Sequence, residues 1–492
     1  MSARALEIVR SALAGRRAWL VGGAVRDRVL ERAVADLDVV LDGDPEEGAR
    51  AIAQAAKSAG TPAACFTLSE EFGAWRVVAR QDAWQVDVEA MRGESLEADL
   101  RLRDFTVNAI AEPLDGGEAL DPLGGLEDLR AGRLRMAGPD AFKDDPLRVL
   151  RLVRVAVELE LEPEPGAIAA ARAQAPRLEH VSPERVFLEL QRIFASAQAV
   201  RGLELMRELG ATRVVLPELE ALHGVEQSRF HHRDVYGHTL EVFERTIELT
   251  QSPTELGSET GAPGASSARD PKPIAVLGEG QRSPVLALLA EPLADGMTRG
   301  QALRWAALLH DAAKPATRSV RVIDRRVTFL GHDVQGAELA RDVLGRLRAS
   351  VRLREHIAAL VRHHLRLGFL VHEPQPLARG KVYDYLHACE PVEVDVTLLS
   401  ICDRLATRGA KAEQAIVAHL DLARRMLDDA LQWRQAGAPK PLLRGDQLAR
   451  ELGIPLGPRV GELLAGLERA QYTGEVSTYE QAFKFARERL SA

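Results

Sequence analysis

The sequence predicts an α+β protein: a mixed α/β head followed by a mainly α-helical remainder. Three observations lead there. An apolar run, a glycine pair and an Arg-Asp follow one another at 17–29 (RAWLVGGAVRDRV), which reads as strand, turn and helix. The stretch 74–90 alternates apolar and polar residues, as two strands joined near Gln81-Asp82 do. From Asp144 onward the apolar spacing turns helical, in PLRVLRLVRVAVELEL, PERVFLELQRIFA and VRGLELMRELG.

Taken in order, the first residues read as a short helix running into the strand before Gly22. ADLDVVL at 35–41 is a second short strand, and 45–58 is a helix. The head closes after GRLRM at 132–136, giving a domain over 1–140. A helical neck is expected over 141–225, a helical body over 226–410 and a helical tail over 411–492. Residues 251–285 begin QSPTELGSETGAPGASSARDPKP, dense in Ser, Gly, Pro and Ala, and are expected to be a flexible insertion. Helical patterns resume near 286, run to about 435, and return over 442–491. No fixed-period repeat is present.

A chain of 492 residues has room for about three domains. Its 46% apolar and 28% charged residues exclude a disordered or fibrous chain. The net charge of −8 argues against indiscriminate nucleic-acid binding, but it is an average. Between Lys314 and Lys381, 14 Lys/Arg face 6 Asp/Glu, a local +8 in 68 residues that offers an RNA-facing surface. Three cysteines, Cys65, Cys389 and Cys402, without CxxC spacing fit a reducing cytoplasm. The N-terminus has no apolar core of a signal peptide, and no uncharged apolar stretch is long enough to span a membrane.

Chemistry concentrates in three places. Gly22 and Gly23 let backbone amides approach a phosphate, and Arg26 lies one helical turn further on. Asp36 and Asp38 sit two apart on a strand, so both face one side. Close carboxylates repel unless a cation lies between them, and Mg²⁺ is the usual one. Asp87 offers a third carboxylate, with Asp82 and Glu89 as competitors. Three such carboxylates can hold two Mg²⁺ ions for phosphoryl transfer. A lone GG or DxD is more often a plain turn or a solvated strand end; here the two occur together.

LRDFTVNAIA carries Arg103, Asp104 and Asn108, and KDDPLRVLRLVR carries Asp145, Arg148 and Arg151, with Pro146 suited to a helix's first turn. In isolation the second set reads as helix cap and solvated arginines. Read sharply, it is a nucleotide-binding edge, where one acceptor and one donor fork meet a base. The 13 histidines cluster as well: His231, His232 and His238, then His310-Asp311, His332 and His363-His364, with Asp403 following. This is an oxygen/nitrogen metal-site pattern, open to Mn²⁺, Ni²⁺, Mg²⁺ or Fe.

LVGGAVRD, DLD, LRDFTVNAIA and DDPLRVLRLVR together resemble the class II tRNA nucleotidyltransferases, the CCA-adding enzymes, a group that includes bacterial poly(A) polymerases. The resemblance is strong over 17–230 and looser beyond, where GDQLARELGIPLGPRVGELL resembles the tail of members with an HD domain. It implies a polymerase-beta-like nucleotidyltransferase head acting on the tRNA 3′ end with CTP and ATP. Asp36 and Asp38 then match the Mg²⁺ pair and Asp87 the third acidic residue. Gly23 and Arg26 match triphosphate contacts and Arg103 a nucleotide-binding arginine. Asp145 and Arg148 match the base-pairing residues, with Arg151 as a further contact. Leu102 and Asp144 depart from the family pattern, standing where it has arginine and glutamate. The histidines resemble an HD phosphohydrolase domain, with His238, His310, Asp311 and Asp403 matching metal ligands and His332 and His363 its additional histidines. A 2′,3′-cyclic phosphodiesterase or phosphatase activity is implied there. Two rival readings remain at this point: a poly(A) or A-only polymerase, and an HD phosphohydrolase whose head only binds RNA.

Overall fold

A computed structural model describes residues 3–34, 36–69, 73–79, 84–227, 233–251, 272–323, 325–407 and 413–491. The chain forms two compact units, 1–193 with 201–215, and 194–200 with 216–492. Most of the expected head and neck therefore share one unit, and body and tail share the other.

The first unit is built on a six-stranded sheet. Its strands are β1 (Ala18–Val21), β2 (Asp36–Leu41), β3 (Ala64–Ser69), β4 (Ala74–Ala79), β5 (Trp84–Ala90) and β6 (Ala111–Pro113), in spatial order β3-β4-β5-β2-β1-β6. Only β2 and β5 run parallel; every other neighbour is antiparallel. Four helices accompany it: α1 (Ala3–Ala12), α2 (Gly23–Val29), α3 (Pro45–Ser58) and α4 (Leu96–Arg101). Asp44 caps α3 by accepting from the Glu46 N–H at 2.8 Å, with Pro45 in the first turn. Ala49, Ile52 and Ala56 of α3 are buried. A Cβ at Gly48 would meet Leu41 Cδ2 at 2.8 Å, so glycine sets how closely α3 approaches the sheet.

β2 positions the chemistry by alternation. Leu37, Val39 and Leu41 are buried on one face. On the other, Val40 is covered by Leu96 and Leu100 of α4, whereas Asp38 is half-buried and Asp36 exposed. β3 was not expected from the sequence; the turn placed near Gln81-Asp82 lies outside the described residues.

A loop and short helix, Gly125–Ala131, lock the back of the head. Asp121 accepts from the N–H groups of Gly125 and Leu126 at 2.7 and 2.9 Å. Buried Asp128 binds Thr106 at 2.6 Å and the guanidinium of Arg135 at 2.7 Å. A Cβ at Gly125 would lie 2.1 Å from the Thr106 carbonyl oxygen, which is backbone and cannot yield. Gly125→Ala is expected to cost about 3 kcal/mol or more. A thermal melt within a degree of wild type would contradict this.

In the second unit, helices Val235–Thr250, Arg299–Leu309, His332–Arg346, Val351–His363 and Glu393–Ala406 pack around buried Val242, Phe243, Trp305, Ile357 and Leu398. The tail helices Gly445–Leu452, Pro458–Thr473 and Tyr479–Ser491 enclose a small core of their own, with Leu448, Leu463, Leu467 and Ala482. Within the expected insertion, 252–271 lie outside the described residues. The rest departs from expectation: Pro273–Val276 and Glu279–Leu289 are helical. Their buried Val276, Val285, Leu288 and Leu289 supply the apolar contacts that the Ser/Gly-rich part lacks. A short hairpin, Ser319–Val320 paired with Val327–Thr328, also breaks the expected helical run.

Candidate functional site

The parallel pairing of β2 with β5 sets Asp38 opposite Asp87. β1 sets Val21 opposite Asp38, so the Gly22 turn begins beside the same carboxylate. Gly22 has φ +69°, and a Cβ there would lie 3.1 Å from Asp38 Oδ2 and 3.4 Å from Arg103 Nη1. Both the backbone and the space require glycine. Burial pushes the Asp38 carboxyl up to about 6; Arg103 opposes this, while Asp87, Glu89 and Asp36 add to it. Asp36 is raised too, by burial first and then by Asp87. Carboxylates held together without enough positive charge fit a divalent cation. Asp87 itself is gripped by Arg76, with two N–H donors at 2.7 Å. It thus stands in the cluster with its charge already partnered. Of its two competitors, Asp82 lies outside the described residues, and Glu89 pairs with Val40 two steps along the register.

Beside the carboxylates lies a cleft of about 310 Å³ whose walls include Arg92, Leu102, Arg103, Asp144, Asp145, Arg148 and Arg151. Buried Asp99 aligns two of these arginines, accepting from Arg92 N–H at 3.0 Å and from Arg103 Nη2 at 3.4 Å. Asp145 precedes the helix Arg148–Leu159, in extended backbone, and its Oδ1 accepts from the Leu147 N–H at 3.1 Å. Arg148 donates to the carbonyls of Leu102 and Ala141 at 2.9 and 3.1 Å. Arg185 donates to Asp145 Oδ2 at 2.7 Å. Arg185 was not singled out in the sequence. Because it orients the acceptor at the cleft wall, Arg185→Ala is expected to weaken nucleotide binding about fivefold, a loss of roughly 1 kcal/mol. Titration of CTP and ATP against the variant checks this; unchanged affinity for both would contradict it.

Arg26, Asn108, Asp104 and Arg151 join in one internal network. Arg26 is buried and donates to Asn108 Oδ1 at 2.6 Å and to Asp27 at 2.8 Å. Asn108 donates to Asp104 at 3.0 Å, and Arg151 reaches both Asp104 and Glu189 at 3.4 and 3.3 Å. Glu189 in turn takes Arg154 at 2.6 Å. Burial raises Asp104, but Arg151 and Asn108 outweigh it and hold the carboxyl below its usual range. The glycine turn lies between the two guanidiniums: a Cβ at Gly23 would stand 3.4 Å from Arg26 Nη2, and one at Gly22 would stand 3.4 Å from Arg103 Nη1.

The second unit assembles the histidines. His238 Nε2 lies 3.0 Å from Asp403 and 3.9 Å from Asp311. His310 Nε2 and His332 Nε2 lie 3.2 and 3.4 Å from the Asp311 carboxylate. His310, Asp311 and His238 form one group able to hold a metal; Asp311, His332 and His364 form another sharing Asp311. Here the structure corrects the sequence: His364, not His363, joins the cluster. His363 is half-buried and accepts from Arg366 at 2.8 Å, while His364 is fully enclosed. Consecutive helical residues differ by about 100° in direction, so only one of the two can face inward. His231 and His232 lie outside the described residues.

Three backbone carbonyls fix the ring orientations. Nδ1 of His310, His332 and His364 bonds Ala307, Phe329 and Val361 oxygens at 2.8, 2.7 and 2.6 Å. These bonds turn the other ring nitrogen, Nε2, of each histidine toward Asp311, where it would meet a bound metal. Burial raises Asp311, but His310 and Lys314 overcome it and hold the group well below the carboxylate range. Lys314 Nζ is 2.7 Å from Asp311 and 2.6 Å from Gln227. His364 is pushed down to about 4 by burial and by His310. A Cβ at Gly336 would meet Val361 at 3.0 Å, so glycine lets the two helices bearing His332 and His364 close on each other. Buried imidazole nitrogens converging on shared carboxylate oxygens fit divalent metal.

A mixed sheet with paired carboxylates beside a glycine turn and an arginine-lined cleft defines a nucleotidyltransferase head. Family models agree: residues 18–135 match the poly A polymerase head domain, 160–222 the probable RNA and SrmB-binding site of polymerase A, and 285–408 the HD domain. His238 thus lies outside the matched HD span. Over 474 residues the chain is 35% identical to an A-adding tRNA nucleotidyltransferase of Deinococcus radiodurans, covering 95% of this chain and 94% of the relative. It is 32% identical to a CC-adding tRNA nucleotidyltransferase of Thermus thermophilus, covering 95% and 92%. The structure superposes on that of the Bacillus stearothermophilus CCA-adding enzyme in complex with CTP with TM-score 0.60 and 23% identity, covering 100% and 98%. The chain belongs to the class II tRNA nucleotidyltransferases that carry a C-terminal HD domain.

Proposed function

We propose that this chain completes the 3′ end of tRNA, adding C, C and A from CTP and ATP without a nucleic-acid template. The observation that carries the reading is the Asp38–Asp87 register pair beside the Gly22 turn, opening on a cleft walled by Asp145, Arg148 and Arg103. Asp36 and Asp38, with Asp87 beside them, would hold Mg²⁺, which when bound makes the terminal 3′-hydroxyl easier to deprotonate and neutralises the triphosphate. The hydroxyl attacks the α-phosphate and pyrophosphate leaves. The Gly22–Gly23 turn and Arg103 orient the phosphates. Asp145 accepts from the base and Arg148 donates to it, so an ill-matched base leaves polar groups unpaired.

A second reading, addition of A alone, is favoured by the 35% identity to the A-adding relative along nearly the whole chain. In the HD unit we infer a divalent-metal phosphohydrolase, with His238, His310, Asp311, His332, His364 and Asp403 as the ligand set and Mn²⁺, Ni²⁺ or Mg²⁺ as its metals. Its substrate class is a phosphoester such as a 2′,3′-cyclic phosphate. Cys65, Cys389 and Cys402 are free, which supports a cytoplasmic setting. Among the described residues no helix is long and apolar enough to cross a membrane.

The test uses tRNAs ending before the CCA, after the first C and after CC, each given one labelled nucleoside triphosphate. CTP on the first two and ATP on the third marks full CCA addition. ATP on the third alone marks the A-adding reading. Absence of incorporation on all three sinks both.

A further inference from the structure

Asp99 is wholly buried, and its two oxygens serve two different arginines. Oδ1 accepts from the backbone N–H of Arg92 at 3.0 Å and from Arg92 Nε at 3.4 Å. Oδ2 accepts from Arg103 Nη2 at 3.4 Å. The arrangement is made locally. Ser95 caps α4 by accepting from the Ala98 N–H at 3.2 Å, and Leu96 and Leu100 seat the helix on Val40 of the sheet. Asp99 lies in α4, Arg103 just past its end, and Arg92 two residues after the end of β5. One buried carboxylate therefore sets the separation of two guanidiniums that both line the cleft. Arg92 is the more open of the two, with its side chain 35% exposed against 12% for Arg103.

The sheet assigns the two arginines to different partners. β2, which carries Asp38, lies between β1 and β5. On the β1 side is the Gly22 turn, with Arg103 Nη1 3.4 Å from a Cβ placed at Gly22. On the β5 side is Asp87, and the chain runs on from there past Glu89 to Arg92 along the cleft wall. In phosphoryl transfer the attacking and leaving oxygens stand roughly in line, on opposite sides of the phosphorus. A triphosphate held at the Gly22 turn releases pyrophosphate toward β1. The attacking 3′-hydroxyl then arrives from the β5 side, where Arg92 stands.

We propose that Arg92 holds the last phosphodiester of the tRNA 3′ end, and that Asp99 is the positioning residue that spaces Arg92 from Arg103. This rests on the reading of the head as the site of addition to tRNA. A guanidinium suits a phosphodiester because its parallel N–H donors meet both free oxygens. The contact is to the backbone, so it serves whichever base ends the strand.

The experiment removes the charge from each partner in turn. Wild type and Arg92→Gln are given ATP and a tRNA ending in CC, either natural or with a methylphosphonate, which is uncharged, as the last internucleotide linkage. In wild type the neutral linkage is expected to lower kcat/KM for tRNA about tenfold. Arg92→Gln is expected to lose about as much on the natural tRNA, with KM for ATP within about twofold of wild type, and to lose less than about twofold more on the neutral linkage. Asp99→Asn keeps an acceptor for the Arg92 N–H but lacks the charge that both guanidiniums share, so KM is expected to rise for ATP and for tRNA alike. Equal loss from the neutral linkage in wild type and Arg92→Gln overturns the proposal, as does a rise in KM for ATP alone in Arg92→Gln, which would place Arg92 on the triphosphate. A rise in only one KM in folded Asp99→Asn overturns the positioning role. A wild type that adds C but not A contradicts the proposed CCA addition instead; the same comparison with CTP and a tRNA ending in the first C then decides the role of Arg92. A folded wild type that extends neither tRNA sinks the reading of the head and this inference with it.

Discussion

Replacing Asp38 by asparagine is expected to abolish nucleotide addition and yet raise the melting temperature of the metal-free protein. Loss of a metal-binding carboxylate at a phosphoryl-transfer centre is expected to lower the rate by at least about 10³-fold. The effect on stability has the opposite sign. Burial, helped by Asp87, Glu89 and Asp36, pushes Asp38 up to about 6 against the pull of Arg103. A folded-state value above the unfolded one means the folded head binds more protons between about pH 4 and pH 6. Metal-free stability therefore falls as pH rises through that window, and the cost is fully present at neutral pH. For this half-buried group the cost is about 1–2 kcal/mol after allowing for solvent. Asparagine keeps the shape and removes the charge. Melts in EDTA at pH 7.5, with label incorporation into tRNA, check both halves. A lower melting temperature, or retained incorporation, would contradict this account of the carboxylates.

His310→Ala is expected to empty the HD centre and leave addition at the tRNA end intact. His310 is buried, with Nδ1 fixed by Ala307 and Nε2 3.2 Å from Asp311. Removing it deletes a ligand and leaves Asp311 with fewer partners, so metal affinity should fall by about 10²-fold or more. The emptied space costs about 1–3 kcal/mol, which the milder variant His310→Asn limits. Metal content after dialysis and tRNA incorporation are read on one sample. Unchanged metal content in both variants would show that the cluster is not the metal site. Loss of incorporation in both, with the fold intact, would show that the two chemistries are not separate.

Much of this was legible in the sequence because it is local. The glycine turn, the DxD alternation and the helix 45–58 follow from residues adjacent in the chain, and the structure has them as β1, α2, β2 and α3. His363 rather than His364 was expected at the HD centre, although the helical pattern itself points to 364. Buried Leu353, Ile357, Leu360 and Val361 repeat at helical spacing, and 364 continues their stripe while 363 does not. Two residues were beyond reach for a different reason. Glu189 and Arg185 act on Arg151 and Asp145 across the packing of two neck helices, 38 and 40 positions apart. No periodicity encodes which solvated-looking charge on one helix meets which on another. β3 was missed as a short edge strand, Ala-Cys-Phe-Thr-Leu-Ser, without clean alternation. The hairpin at 319–328 was missed because its apolar residues point at solvent rather than a core.

The central claim, a head that builds a defined tRNA terminus, is tested most directly by one measurement. A tRNA ending in CC is given excess ATP and Mg²⁺, and the product length is read at nucleotide resolution. The claim requires extension by one A and then arrest. A run of A residues, or a tRNA left unextended by the folded enzyme, would contradict it.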